Sequence, residues 1–190
     1  MRPKAVFFDF DDTLVLTKKA DEVAFLKTQE LAKEVRPDVD TAQLINDFTS
    51  RFTALPWDPA NSMGANEWRA GLWLQALQDQ DQGHDLDACQ LSQRLYKCFK
   101  DTRLQHLHLE RGVEDLIDWL KVEGIAIVVI TNGHPDVQRG KLAAAGIEKF
   151  VTHILVGARR SSRGGLKNQP PPYSTGLAAW WAANLMRHGM

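Results

Sequence analysis

An α/β fold is what this chain predicts, a parallel sheet with a helical segment inserted after its first strand, and three observations predict it. The apolar run Ala5-Val6-Phe7-Phe8 ends in Asp9-Phe10-Asp11-Asp12-Thr13. A second run, Ile125-Ala126-Ile127-Val128-Val129-Ile130, ends in Thr131-Asn132-Gly133. Continuous β-branched runs of this kind read as parallel strands buried on both faces. Between them lies a long stretch, from about Thr17 to Thr102, rich in Ala, Leu, Gln, Glu and Lys, which are helix-forming residues.

The first strand carries the most informative residues. Side chains alternate faces along a strand, so Asp9 and Asp11 point one way while Phe10 packs the other. One carboxylate is then placed to attack phosphorus and its neighbour to shuttle the proton. The plainer reading is a strand end whose Asp and Thr residues cap the next helix.

The helical stretch is broken at Arg36-Pro37-Asp38, at Leu55-Pro56-Trp57-Asp58-Pro59 and at Asp81-Gln82-Gly83-His84, which gives three or four helices. Val23, Leu26, Leu31 and Val35 recur at helical spacing and are expected to bury a core face. Trp57, Trp68 and Trp73 are expected in the core, as their burial habit suggests. The chain returns to the sheet from Leu109. Gly112 to Lys121 is amphipathic and stops before Gly124, so a helix precedes the second strand. Past Thr131-Asn132-Gly133, Pro135 to Ala145 reads as a helix closed by Gly146, and Phe150 to Val156 as a third strand, a right-handed βα repeat. The Thr131 hydroxyl and the backbone N–H groups around Asn132 and Gly133 would sit at the carboxyl end of the second strand. Open α/β sheets place their ligands there, and such donors can hold phosphoryl oxygens. Taken alone, Thr-Asn-Gly is a turn signal.

At 190 residues and 44% hydrophobic content the chain has room for one domain with an insertion. A net charge of -1, from 23 basic and 24 acidic residues, gives no electrostatic case for nucleic acid or an anionic membrane surface. No apolar stretch approaches the roughly 20 residues of a membrane span, so a soluble, cytoplasmic protein is expected. The two cysteines, Cys89 and Cys98, form no CxxC pair and indicate neither a disulfide framework nor a zinc site. The six histidines lack the i, i+4 pairing of helical metal sites and are assigned no chemistry.

The pattern Asp9-x-Asp11-x-Thr13 after an apolar strand, followed by Thr131-Asn132-Gly133 after a second, resembles the first two motifs of the haloacid dehalogenase-like (HAD) phosphatases. The resemblance implies a Rossmann-like HAD core, its parallel sheet here incomplete, with the helical insertion as a cap over the active site. It divides the chain into a core of residues 1–16 and 106–157, a cap of 17–105 and a tail of 158–190. Phe7 to Leu14, Thr102-Arg103-Leu104-Gln105-His106, Ile130 to Gly133 and Ile154-Leu155-Val156-Gly157 narrow it to the branch that removes phosphate from N-acylneuraminate 9-phosphate, a sialic acid precursor, with magnesium. By this resemblance Asp9 is the nucleophile, Asp11 the general acid/base, and Thr131, Asn132 and Gly133 phosphate ligands. Asp9 and the Asp11 backbone carbonyl hold Mg²⁺. Arg103, near the cap-to-core junction, either meets the substrate carboxylate through its planar fork or is a helix-end arginine at the surface.

The resemblance runs from about residue 4 to residue 157 and stops there. HAD phosphatases need a further lysine and one or two later acids, yet residues 158–190 contain no Asp or Glu. Read two bases over, the codons of Leu166 to Gln169 permit Glu-Lys-Pro-Ala, and Trp180-Trp181 forces Val then Gly, which points to a frame-shifted tail. The alternative is that Lys167 is the family lysine, displaced. Three functions are therefore weighed. The first is a Mg²⁺-dependent phosphomonoesterase working through an aspartyl-phosphate on a sugar phosphate. The second is a catalytically inactive isoform that acts by binding. The third is a HAD phosphatase for another small phosphate, such as a nucleotide.

Overall fold

A computed structural model describes residues 2–60, 62–80 and 86–157. Strand β1 (Ala5–Asp9) is followed by four helices, α1 (Thr17–Val35), α2 (Thr41–Ala54), α3 (Ala65–Gln78) and α4 (Leu86–Gln105). Then come α5 (Val113–Val122), β2 (Ala126–Asn132), α6 (Pro135–Ala144), a 3₁₀ turn (Ile147–Lys149) and β3 (His153–Gly157). The sheet is parallel, in the order β1-β2-β3. Asp9 lies opposite Ile130, and Asn132 opposite Gly157. This α/β architecture, with its helical segment after the first strand, is the one the sequence predicts. Among the described residues, no helix is long and apolar enough to cross a membrane.

Buried apolar side chains fall into two clusters. One joins the strands to α5 and α6 and contains Phe10, Val15, Ile117, Ile127, Val129 and Leu142. The other lies wholly among α1 to α4 and is aromatic at its centre. There Phe48 stacks on Trp73 with ring centroids 3.9 Å apart and planes 10° from parallel. Trp73 is fully buried and Trp68 half-buried against the same cluster, while Trp57 is also half-buried. Asp40 caps α2 by accepting from the N–H groups of Ala42 and Gln43, both at 3.0 Å.

The expected face of α1 needs correction. Its buried positions are Thr17, Ala20, Ala24, Thr28 and Ala32, whereas Leu26 is 62% exposed and Val23, Leu31 and Val35 are half-buried. Small side chains let the backbone of a neighbouring helix come close, so the close-packed stripe here is alanine-rich rather than leucine-rich. The third strand also starts later than expected. Phe150 donates its N–H to the Ile147 carbonyl (2.9 Å) and closes the 3₁₀ turn, and contact with β2 begins only at Thr152, whose N–H reaches the Ile127 carbonyl at 2.8 Å. Conversely, β2 runs on through Thr131 and Asn132, which the turn signal alone would have excluded. The predicted break at 81–84 lies outside the described residues, as does the tail with its frame-shift reading.

Candidate active site

The end of β1 turns sharply. The N–H groups of Leu14 and Val15 both reach the Phe10 carbonyl, at 3.1 and 3.3 Å, and Asp12 takes the left-handed conformation with φ 54°, which Asp tolerates better than most residues. Phe10 goes to the core. Asp9 is left exposed at the strand end and Asp11 half-buried beside it. The loop is tied to the first helix twice. Thr17 Oγ1 donates to Asp11 Oδ1 (2.6 Å) and the Lys18 N–H donates to Asp12 Oδ1 (2.9 Å), so Asp12 caps α1 from outside. Both readings of the Asp cluster, chemistry and capping, therefore have a residue to carry them.

Helix α6 completes the surroundings of Asp11. Lys141 Nζ contacts Asp11 Oδ1 directly, and Gln138 Nε2 donates both to Asp11 Oδ2 (3.1 Å) and to the Asn132 carbonyl (2.6 Å). Gln138 and Lys141, three apart on one face, are both 4% exposed. Sequence reasoning missed both. The signal was present only as two polar residues on the inward side of a short helix.

Burial by itself would raise the Asp11 carboxyl. The charge of Lys141 and hydrogen bonds from Lys141, Thr17 and Gln138 outweigh it and hold Asp11 below the usual carboxylate range. Burial pushes the Lys141 ammonium down, against the pull of Asp11. Asp9 moves the other way: its partial burial raises it, the Phe10 N–H opposes that, and the neighbouring charge of Asp11 adds to the rise. Two carboxylates two residues apart thus have environments that separate their proton affinities, with Asp11 held ionised and Asp9 the more readily protonated of the two, the reverse of the order a nucleophile and a general acid would need in the absence of further charge.

Thr131 is fully buried, and its hydroxyl has no hydrogen-bond partner among the described residues. It follows Ile130, the register partner of Asp9, so the loose hydroxyl lies at the same sheet edge as the nucleophile candidate. Asn132 is at the strand's end, and the N–H of Gly133 donates to the Gly157 carbonyl (2.8 Å), a use internal to the fold. Arg103 is 9% exposed and pairs with Asp21 of α1, its Nη2 donating to Oδ2 at 3.0 Å. Lys167 lies outside the described residues.

For a divalent cation, the hard oxygens at this edge are the Asp9 carboxylate and the Asp11 main-chain carbonyl, since the Asp11 carboxylate is engaged by three donors. No group of three or more His, Cys, Asp and Glu side chains is gathered among the described residues. Mg²⁺ commonly takes one or two carboxylates, substrate phosphate oxygens and water, so these residues fit it in partnership with a bound phosphate.

Comparison with known proteins agrees with this fold. The family model for haloacid dehalogenase-like hydrolases matches residues 3–170. The rat protein named N-acylneuraminate-9-phosphatase is 29% identical over 159 residues, which cover 84% of this chain and 63% of that protein. The chain thus spans just under two thirds of the length of such relatives. Among solved structures, a haloacid dehalogenase-like family hydrolase from Xanthomonas campestris superposes with a TM-score of 0.55 at 20% identity, over 81% of this chain and 61% of that one. A HAD-hydrolase from Bacillus subtilis, solved bound to magnesium, gives 0.51 at 22% identity over 82% and 64%. With the paired aspartates on one strand end, the buried threonine on the next and a family match over most of its length, the chain belongs to the haloacid dehalogenase-like hydrolases.

Proposed function

We propose that the chain carries the site of a phosphomonoesterase acting on a sugar phosphate, N-acylneuraminate 9-phosphate in the first instance, in the cytoplasm. The observation that carries this reading is the environment of the two carboxylates: Asp9 open at the strand end, and Asp11 two residues on, held by Thr17, Gln138 and Lys141. Residues 1–16 and 106–157 act as the core and 17–105 as the cap, a division supported by the two separate buried clusters.

Asp9 attacks phosphorus in line, the bond to the leaving alkoxide breaks, and an aspartyl-phosphate forms. Asp11 gives a proton to the alkoxide and later takes one from the water that releases phosphate. Its resting form here is the base. Lys141, whose ammonium is destabilised by burial and which touches Asp11, is the neighbour able to share a proton with it. The unpartnered Thr131 hydroxyl orients the phosphoryl group, with Asn132 and Gly133 shaping the loop beside it. Mg²⁺, held by Asp9 and the Asp11 carbonyl, would supply neutralising charge to the phosphoryl oxygens.

Release of phosphate from N-acylneuraminate 9-phosphate by the purified chain, with and without Mg²⁺, tests the reading. Turnover that is lost in Asp9→Asn is expected. A second reading, binding without turnover, is favoured by the lack of any Asp or Glu in residues 158–190 and by the missing third acid among the described residues. A folded sample that binds phosphate yet releases none would establish it, and turnover of a nucleotide in place of the sugar phosphate would redirect the substrate.

A further inference from the structure

A carboxylate attacks with an oxygen lone pair, so one whose oxygens already accept hydrogen bonds is a poorer nucleophile than one left open. An ionised carboxylate offers about four lone-pair sites. On Asp11 three of them are taken: Oδ1 accepts from the Thr17 hydroxyl (2.6 Å) and touches the Lys141 ammonium, and Oδ2 accepts from Gln138 Nε2 (3.1 Å). Asp9 is exposed at the strand end and meets the Phe10 N–H, with no side-chain donor on it among the described residues. The two acids of one loop are therefore unequal in a way that burial does not account for.

Two of the three donors on Asp11 come from one helix, α6, and both are buried. Neither is explained by the stability of the fold. A buried ion pair gains little over apolar side chains of similar size, and the Lys141 ammonium lies 5.9 Å over the Phe10 ring, where an apolar side chain would pack. Gln138 divides its Nε2 between Asp11 and the Asn132 carbonyl (2.6 Å), and its own Oε1 has no hydrogen-bond partner among the described residues. Leaving such an oxygen unmade costs free energy. Proton affinity alone would choose Asp11 as the attacking group, since it is the more readily ionised of the two; the hydrogen bonds choose the other way.

We propose that Lys141 and Gln138 are positioning residues that select the attacking carboxylate: by engaging both oxygens of Asp11 they leave Asp9 as the open nucleophile at this sheet edge. Both act through Asp11. Attack by Asp11 would place the phosphoryl group on the very residue that has to protonate the leaving alkoxide and later deprotonate water, a dead end. Charge-assisted hydrogen bonds are the stronger kind, and Lys141 supplies one. The inference rests on the phosphomonoesterase reading for the electrophile being phosphorus. The selection itself belongs to the resting site and holds toward any small electrophile.

Brief treatment of the full 190-residue chain with trimethyloxonium tests the proposal, because this reagent gives one methyl group to an attacking carboxylate oxygen, releases dimethyl ether, and needs neither substrate nor metal. Peptide mass spectrometry then compares the esters at residues 9 and 11. Asp9 is expected to be esterified at least about tenfold faster than Asp11, the scale of one charge-assisted hydrogen bond. Lys141→Met combined with Gln138→Leu should bring the ratio close to one, and Lys141→Arg, which keeps a charged donor, should preserve most of it. If the double variant does not fold, either single change should still lower the ratio by about threefold or more. Equal esters in the unaltered chain, no ester at residue 9, or a preference that persists in the folded variants, which would make mere exposure its cause, would overturn the selection. In turnover, Lys141→Met should lower kcat with little change in KM, and Lys141→Arg should recover part of the loss. The Asp9 preference without phosphate release by the unaltered chain would sink the phosphatase reading alone, and phosphate release with equal esters would sink the selection alone.

Discussion

Gly133 shows how finely the site is held. Its φ of 148° lies where side chains are rarely found, and a Cβ there would come 2.6 Å from Gln138 Nε2, the nitrogen that donates to both Asn132 and Asp11. Gly133→Ala is expected to displace Gln138 from Asp11 and to cost about 1–3 kcal/mol, read as a lower melting temperature together with a fall in kcat that exceeds any change in KM. Asp58 is a second such residue, buried in the α2–α3 loop and accepting from Ser62 Oγ (2.7 Å) and from the N–H groups of Ala60 (2.8 Å), Ser62 (2.7 Å) and Met63 (3.0 Å). The Ser62 hydroxyl foremost, then these N–H groups, hold its carboxyl below the ordinary value. A depressed carboxyl stabilises the fold above its unfolded pKa, near about 3.9, and that stabilisation fades as pH falls through the folded value. Asp58→Ala should therefore melt lower than the parent at neutral pH, and the gap should close in acid; a gap that widened toward low pH would contradict the assignment. Asp9, Asp11 and Thr131 were legible as candidates because chain order alone puts them at the carboxyl ends of two adjacent strands, although a turn after Phe10 rather than strand alternation sets the position of Asp11. Gln138 and Lys141 were not. Their contacts with Asp11 depend on how α6 is rotated against a partner many residues away, which no local pattern encodes.

At the scale of elements, α1 is the instructive case. Leu26 occupies a helical spacing that suggests a buried stripe, yet the buried stripe consists of Ala20, Ala24, Thr28 and Ala32. Hydrophobicity marks leucines as interior, whereas close helix packing selects for small side chains, and here packing decides. Ala24→Leu should consequently destabilise by about 1–3 kcal/mol through overpacking, while Leu26→Ser should stay within about 0.5 kcal/mol of neutral, both measurable by chemical denaturation. The strands were read more reliably than the helix faces. An apolar run suffices to find a parallel strand without a choice of face, although only the central β2 is buried while β1 and β3, the edge strands of the described sheet, are half-buried. Only the start of β3 shifted, because Gly146 and the following 3₁₀ turn absorb Ile147 to Phe150.

For the whole molecule, the separation of buried residues into two clusters has an energetic signature. Phe10 belongs to one and Trp73 to the other, with no shared partner in either. Truncating each to alanine should cost about 3–5 kcal/mol, and the double variant should equal the sum within about 0.5 kcal/mol. A coupling well beyond that would show the clusters to be one cooperative core. The two chain crossings between them run side by side, with Val15 bridged to Leu109 and the Glu110 N–H on the Leu14 carbonyl (3.0 Å). Immediately before the first crossing stand Asp11 and Asp12, each bonded to the opening residues of α1. Any swing of that helix away from the sheet must break those two bonds or drag the aspartates with it. The arrangement is an interlock: the position of α1 and the positions of Asp11 and Asp12 are coupled, and while those bonds hold neither can change without the other.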